Sequence, residues 1–165
     1  MTPTIGFIAT VLAANWAIST FGVVPVGFGL HAPAGVYFAG LAFTLRDLVH
    51  ERLGRMAVTA CIVSGAMLSW WISPVYAFAS GAAFLVSESA DFAVYAPLRV
   101  KHWLGAVAAS NVVGLIIDSG VFLWLAFGSL DYLPGQVVGK AWVTAAAVAT
   151  LWVGRRALSH RRVPA

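Results

Sequence analysis

Glu88, Asp91, Asp118 and Lys140 are ionisable side chains set inside long apolar runs, and Asn111 and Gln136 accompany them as polar partners. Arg46, Asp47 and Glu51 form a second group where another apolar run gives out. A charge at the centre of a bilayer helix costs about 2.5–3.5 kcal/mol on insertion scales, so such residues face a bundle interior where they pair, bind or relay protons. The spacing is helical. Asp47 and Glu51 are four apart, Glu88 and Asp91 three, Gln136 and Lys140 four, Asn111 and Asp118 seven. Each pair therefore shares one helix face, and the polar stripes are expected to converge on one interior cavity.

The charges do not cancel. Lys140 can neutralise one of Glu88, Asp91 and Asp118, and Arg46 can offset Asp47 or Glu88 but not both. Surplus carboxylates suit a ligand rich in hydrogen-bond donors, a cation or a proton site. The alternative is purely structural, with Arg46–Glu88 and Asp118–Lys140 bracing the bundle as ion pairs. A rise of about 1.5 Å per residue puts Asp118 and Lys140 near one level, roughly 10–13 Å from one end of their helices. The same rise puts Glu88, Asn111, Arg46 and Asp47 near a second level, about 20 Å down from that end.

The elements that must position these residues are membrane helices. Of the 165 residues, 61% are apolar or aromatic and only 10% are charged, and the mean hydropathy is +0.88. A soluble domain averages about 25% charged residues and lacks the polar surface to cover so much apolar area. Continuous rather than alternating apolar runs argue against a β-barrel. Six apolar runs are legible: Thr4–Val24, Ala34–Leu45, Ala57–Ser73, Val75–Ala96, Leu104–Phe127 and Leu133–Val153; the second is short because it meets Arg46 and Asp47 early, and the others have about the length of a span. Val23–Pro33, with its prolines and glycines, reads as a turn.

The fold class expected is thus all-α, a polytopic integral membrane protein of six helices in a single bundle. Residues 1–154 form the transmembrane domain and 155–165 a basic tail. Lys and Arg are absent from the first, third and fifth connections. Arg46, Arg52 and Arg55 mark the second, Arg99 and Lys101 the fourth, and Arg155, Arg156, Arg161 and Arg162 the tail. That asymmetry predicts both termini on the cytoplasmic side of the cell membrane.

Several function classes find no support. The sequence has no HExxH, CxxC, GxSxG or phosphate-loop pattern, so it is not read as an enzyme and calls for no cofactor or metal. The basic tail is a topology signal and not a nucleic-acid surface. Cys61 stands alone in an apolar run and cannot form an internal disulfide. The seven Trp and ten Phe are read mainly as lipid-facing or interfacial residues, as are His50 and His102.

The same polar residues carry a family resemblance. Thr44–Arg55 (TLRDLVHERLGR) is similar to a "TDLxxExYGxxxA" segment, and Phe84–Phe92 (FLVSESADF) to an "SExxD" helix. Ser110, Asn111, Asp118, Ser119 and Phe122 fit "SNxxxxxxDSxxF", and Gln136 with Lys140 fits "QxxxK". In this order and spacing, over roughly residues 35–142, the chain resembles the queuosine precursor transporters, also called the vitamin uptake transporter family.

The resemblance implies six membrane helices in a fold like that of the substrate-binding subunits of energy-coupling-factor importers. It also implies uptake of 7-cyano- or 7-aminomethyl-7-deazaguanine. A guanine-like edge presents adjacent N–H donors that one carboxylate can accept together, and Lys, Gln or Asn can donate to its acceptors. Glu88, Asp91, Asn111, Asp118, Gln136, Lys140, Arg46 and Asp47 are the substrate-binding candidates. The partners expected are this small molecule and the bilayer. A homo-oligomer, an energy-coupling partner and a non-transport scaffold stay open as alternatives.

Overall fold

A computed structural model describes residues 2–98, 100 and 103–160, without the side chains of residues 2, 103, 104, 107, 108, 148 and 151–160. Arg99, Lys101, His102, Arg161 and Arg162 lie outside the described residues, as do the side chains of Arg155 and Arg156. Among the described residues are six helices and one hairpin: α1 (Thr2–Phe21), β1 (Val23–Gly27), β2 (Leu30–Pro33), α2 (Val36–Leu53), α3 (Arg55–Ser69), α4 (Pro74–Leu98), α5 (Trp103–Phe127) and α6 (Leu133–His160).

The helices are those the apolar runs predict, but several ends differ: α1 stops at Phe21 and not Val24, α3 at Ser69 and not Ser73, and α2 and α6 run longer. Helix α2 does not stop near Leu45 but continues to Leu53. Arg, Leu and Glu are strong helix formers, and only hydropathy falls after Leu45. Helix α6 continues past Val153 to His160. Helix α4 starts at Pro74, whose missing N–H costs nothing in a first turn, with the Ser73 hydroxyl accepting from the Tyr76 amide at 3.4 Å.

Helices α1, α4 and α5 contain stretches long and apolar enough to cross a membrane: Pro3–Phe21, Pro74–Leu98 and Ala109–Phe127. Helix α3 is apolar but shorter, and α2 carries Arg46, Asp47, Glu51 and Arg52. The architecture is that of a helical membrane protein.

The segment Val23–Pro33 is not a simple turn. It forms an antiparallel two-stranded ribbon, pairing Val23 with Pro33, Val24 with Ala32 and Pro25 with His31. Val23, Val24 and Val26 supply β-branched side chains. Phe28 and Gly29 make the tip at positive φ. The Tyr37 hydroxyl donates to the Pro25 carbonyl at 2.9 Å and ties the ribbon to α2.

Close approaches fix how the ribbon and α2 sit on α6. A Cβ on Gly135 would collide with the backbone carbonyl of His31, and one on Gly40 would lie 2.9 Å from the Lys140 carbonyl oxygen. The Thr144 hydroxyl donates to the Gly40 carbonyl at 3.2 Å across the same seam. Helix α5 packs along α4 and touches α6 much less. The main apolar core joins α1 to α4 through Phe7, Val11, Phe43, Val49, Ile62 and Phe84.

Candidate functional site

The polar residues divide into two sites, one toward each end of the bundle. In the half that carries the ribbon, a small cavity of about 40 Å³ is enclosed by α1, α2, α4, α5, α6 and the end of β2. Thr10 and Asn15 reach it from α1, Ser80 and Phe84 from α4, Asp118 and Phe122 from α5, Gln136 and Lys140 from α6. Helical geometry explains the pairing on α6, since Gln136 and Lys140 are one turn apart and so point the same way.

Lys140 is 1% exposed and Asp118 3%. The Lys140 ammonium donates to Asp118 Oδ2 at 2.5 Å and to Ser119 Oγ at 2.9 Å. An ammonium and a carboxylate at this depth lose their hydration together, so neither is tolerable without the other. Beside them Asn15 Nδ2 donates to Ser80 Oγ at 3.1 Å, and Ser80 donates to the Ala77 carbonyl at 3.3 Å. Gln136 differs from its neighbours. It is 2% exposed, and its Oε1 is buried with no hydrogen-bond partner. A buried carbonyl oxygen without a donor costs about 1–3 kcal/mol, so a donor supplied from outside the chain would be bound favourably.

The second site lies in the opposite half. Arg46 is buried on α2, with Nη1 3.0 Å from Glu88 Oε2 and Nη2 2.7 Å from Asp47 Oδ1. Its Nε also donates to Asp47 Oδ1 at 3.0 Å. His50 Nδ1 stands 3.8 Å from Glu88 Oε1, one helical turn beyond Arg46. Asp91 packs against Gly114 of α5. One guanidinium is thus shared by two carboxylates, of which Glu88 is buried and Asp47 half-exposed.

The Phe43 ring stands between the sites. Its centroid is 5.2 Å from the Arg46 guanidinium, 5.8 Å from Lys140 Nζ and 5.7 Å from the Phe84 ring. Phe84 in turn meets Phe7 edge-on at 5.8 Å.

The structure therefore brings Asp118, Gln136 and Lys140 into one cavity and pairs Arg46 with both Asp47 and Glu88. It does not bring all eight candidates together, so the expected convergence on a single interior cavity does not occur. Glu88 lies against Arg46 and His50, outside the enclosed cavity. Asp47 and Asn111 line a separate groove between α2, α5 and α6. Asn111 and Asp118 share α5 yet line different spaces, so the position along a helix as well as its neighbours decides which site a residue joins.

Three cavity residues escaped the sequence reading: Thr10, Asn15 and Ser80. Asn15 had a signal, being an amide in the middle of an apolar run. Thr10 and Ser80 had none, because a hydroxyl that bonds to its own helix backbone is common in membrane helices. Thr10 Oγ1 does this to the Phe7 carbonyl at 2.7 Å.

A family model described as "Putative vitamin uptake transporter" matches residues 68–154, just over half of the chain. The chain belongs to the vitamin uptake transporter family. The matched stretch takes in α4, α5 and most of α6, and with them Glu88, Asp91, Asn111, Asp118, Gln136 and Lys140. Arg46 and Asp47 on α2 lie before it. No curated protein and no solved structure matched the chain. Membership makes this a membrane transporter family protein whose substrate is a small molecule.

Proposed function

We propose that this transporter imports a queuosine precursor, 7-cyano- or 7-aminomethyl-7-deazaguanine, and that the ribbon-side cavity is where the base binds. The observation that carries the reading is the unpartnered Gln136 Oε1 beside the Asp118–Lys140 pair. A deazaguanine edge has adjacent N–H donors and a carbonyl. Asp118 accepts the donors, Gln136 accepts a further N–H, and Lys140 or Asn15 donates to the carbonyl. Phe84 or Phe122 covers the flat face, as aromatic rings cover bases elsewhere. Drug-sized ligands occupy sites of about 300 Å³ and more, so binding a base widens the cavity.

In this reading all six helices cross the plasma membrane and the ribbon is on the outer side. Both termini are then cytoplasmic, as the distribution of Lys and Arg favours. Arg46 and Glu88 brace the inner half, with Asp91 adding to the negative charge there.

The test is uptake of labelled 7-aminomethyl-7-deazaguanine by a precursor-auxotrophic strain, read as queuosine in tRNA. Wild type should restore the modification, and Gln136→Leu should lose most of it while the protein is still made and folded. No rescue by wild type would overturn the substrate. Rescue that disappears only in cells lacking an ATP-driven partner complex would turn the chain into a dependent binding subunit.

A further inference from the structure

The groove between α2, α5 and α6 has no role so far. It lies in the half opposite the ribbon and has a volume of about 870 Å³. It exists because α5 packs on α4 and leaves α6, whose facing side is small: Ala141, Ala145 and Ala149. A groove open only to lipid would be apolar throughout, and this one is not. Thr44 is 9% exposed and lines it, and its Oγ1 is buried with no partner. Asp47 lines it as well, and both hydrogen bonds it receives from Arg46 go to Oδ1, leaving Oδ2 to another donor. Asn111 adds an exposed amide. Carboxylate, amide and hydroxyl are the hydrogen-bonding set of the ribbon-side cavity without its lysine.

The groove and that cavity are close neighbours. Phe43 lines the groove, and Phe84, in contact with it, lines the cavity. Lys140 Nζ is within 5.8 Å of the Phe43 centroid, while Lys140 itself lines the cavity. One aromatic side chain thus stands between two polar spaces at different depths.

We propose that the groove is a second binding site for the same N–H-rich heterocycle, reached when the Phe43 ring swings off Phe84. Phe43 is then the barrier between the two sites. Thr44, Asp47 and Asn111 receive the ligand after Asp118, Gln136 and Lys140 release it. The absence of a lysine matters. The cavity site offers a full positive charge to the ligand's carbonyl and the groove site does not, so the groove holds the ligand more weakly and lets it leave. This inference rests on the proposed function above.

The experiment uses full-length protein with Cys61→Ala, reconstituted in vesicles, and single cysteines at Ala39→Cys in the cavity or Ala145→Cys in the groove. A membrane-impermeant maleimide is added to the face that carries the α2–α3 junction, with and without 7-aminomethyl-7-deazaguanine. Ala145→Cys should label readily and Ala39→Cys slowly. The base should slow labelling at both, and Asp47→Asn should abolish its effect at Ala145→Cys alone. Phe43→Leu, with Phe43→Met as a second variant, should speed labelling of Ala39→Cys severalfold without any ligand.

Protection of Ala39→Cys but not of Ala145→Cys would overturn the second site and leave the proposed function intact. Protection at neither would overturn both. Unchanged labelling of Ala39→Cys in both Phe43 variants, each folded by size-exclusion profile, would remove Phe43 as the barrier.

Discussion

The two halves of the bundle handle buried charge differently. Among the described residues the ribbon half buries one cation and one anion, each with the other as its charged partner. Among the described residues the opposite half has one buried cation shared between two carboxylates, the half-exposed Asp47 and the buried Glu88, with His50 nearby. The first arrangement is brittle, because removing either charge strands the other in a low-dielectric interior. The second is redundant, because Arg46 keeps one carboxylate when it loses another. A site meant to grip a ligand gains from the first kind, since its groups are fixed and dry before the ligand arrives.

The contrast predicts a ranked series of effects. The largest is expected for Lys140→Met, which leaves Asp118 buried and unpaired at a cost of about 3–5 kcal/mol. Thermal unfolding of detergent-purified protein would show it. Adding Asp118→Asn to that variant should recover much of the loss. Strictly additive losses would dissolve the idea of a closed pair.

Next comes Gly135→Leu, which puts a side chain where the His31 carbonyl now lies. Forcing atoms into a packed seam costs about 1–3 kcal/mol. Part of that should appear as faster proteolysis within Val23–Pro33, the ribbon having left α6. An unchanged cleavage pattern would show that the ribbon is not held by this seam.

Glu88→Gln tests the redundant half. Arg46 retains Asp47, so the loss should be about 1–3 kcal/mol, clearly less than for Lys140→Met measured in the same detergent. Affinity for 7-aminomethyl-7-deazaguanine by titration should stay near wild type, because Glu88 lines neither the cavity nor the groove. A large drop in affinity with stability intact would return Glu88 to the binding site. The smallest effect is expected for Arg55→Ala. The Arg55 guanidinium sits 3.9 Å from the Phe92 ring centroid, and both residues are exposed. Such contacts are worth about 0.5–1 kcal/mol, which a melting curve should just resolve.

The sequence by itself determined the helices, their order and which buried charges lie at matching levels. Each of these depends on local quantities. The length and hydropathy of a run mark a helix in a bilayer, and the spacing of Gln136 and Lys140 fixes their common face whatever surrounds it. The level of a residue along its helix follows from the rise per residue, and so Asp118 could be matched with Lys140, and Arg46 with Glu88, before any packing was known.

The tertiary structure decided which faces meet. A helix's own sequence does not set its rotation against its neighbours. Rotation follows from close approaches such as Gly40 on Lys140 and from the choice of α5 to lie along α4 instead of α6. That choice divides the polar residues between a closed cavity and an open groove and puts Phe43 between them. It also brings Asn15 and Ser80 to the Asp118–Lys140 pair: Asn15 stands out as an amide in an apolar run, but nothing local says which helix it will meet. The ribbon is of the same kind. Its strands are too short and too broken by Pro25 and the glycines to be legible alone, and the contacts with Tyr37 and α6 hold them together. Hydrogen bonds and van der Waals contacts between segments distant in the chain are absent from any single stretch of sequence, so only the assembled bundle reveals them.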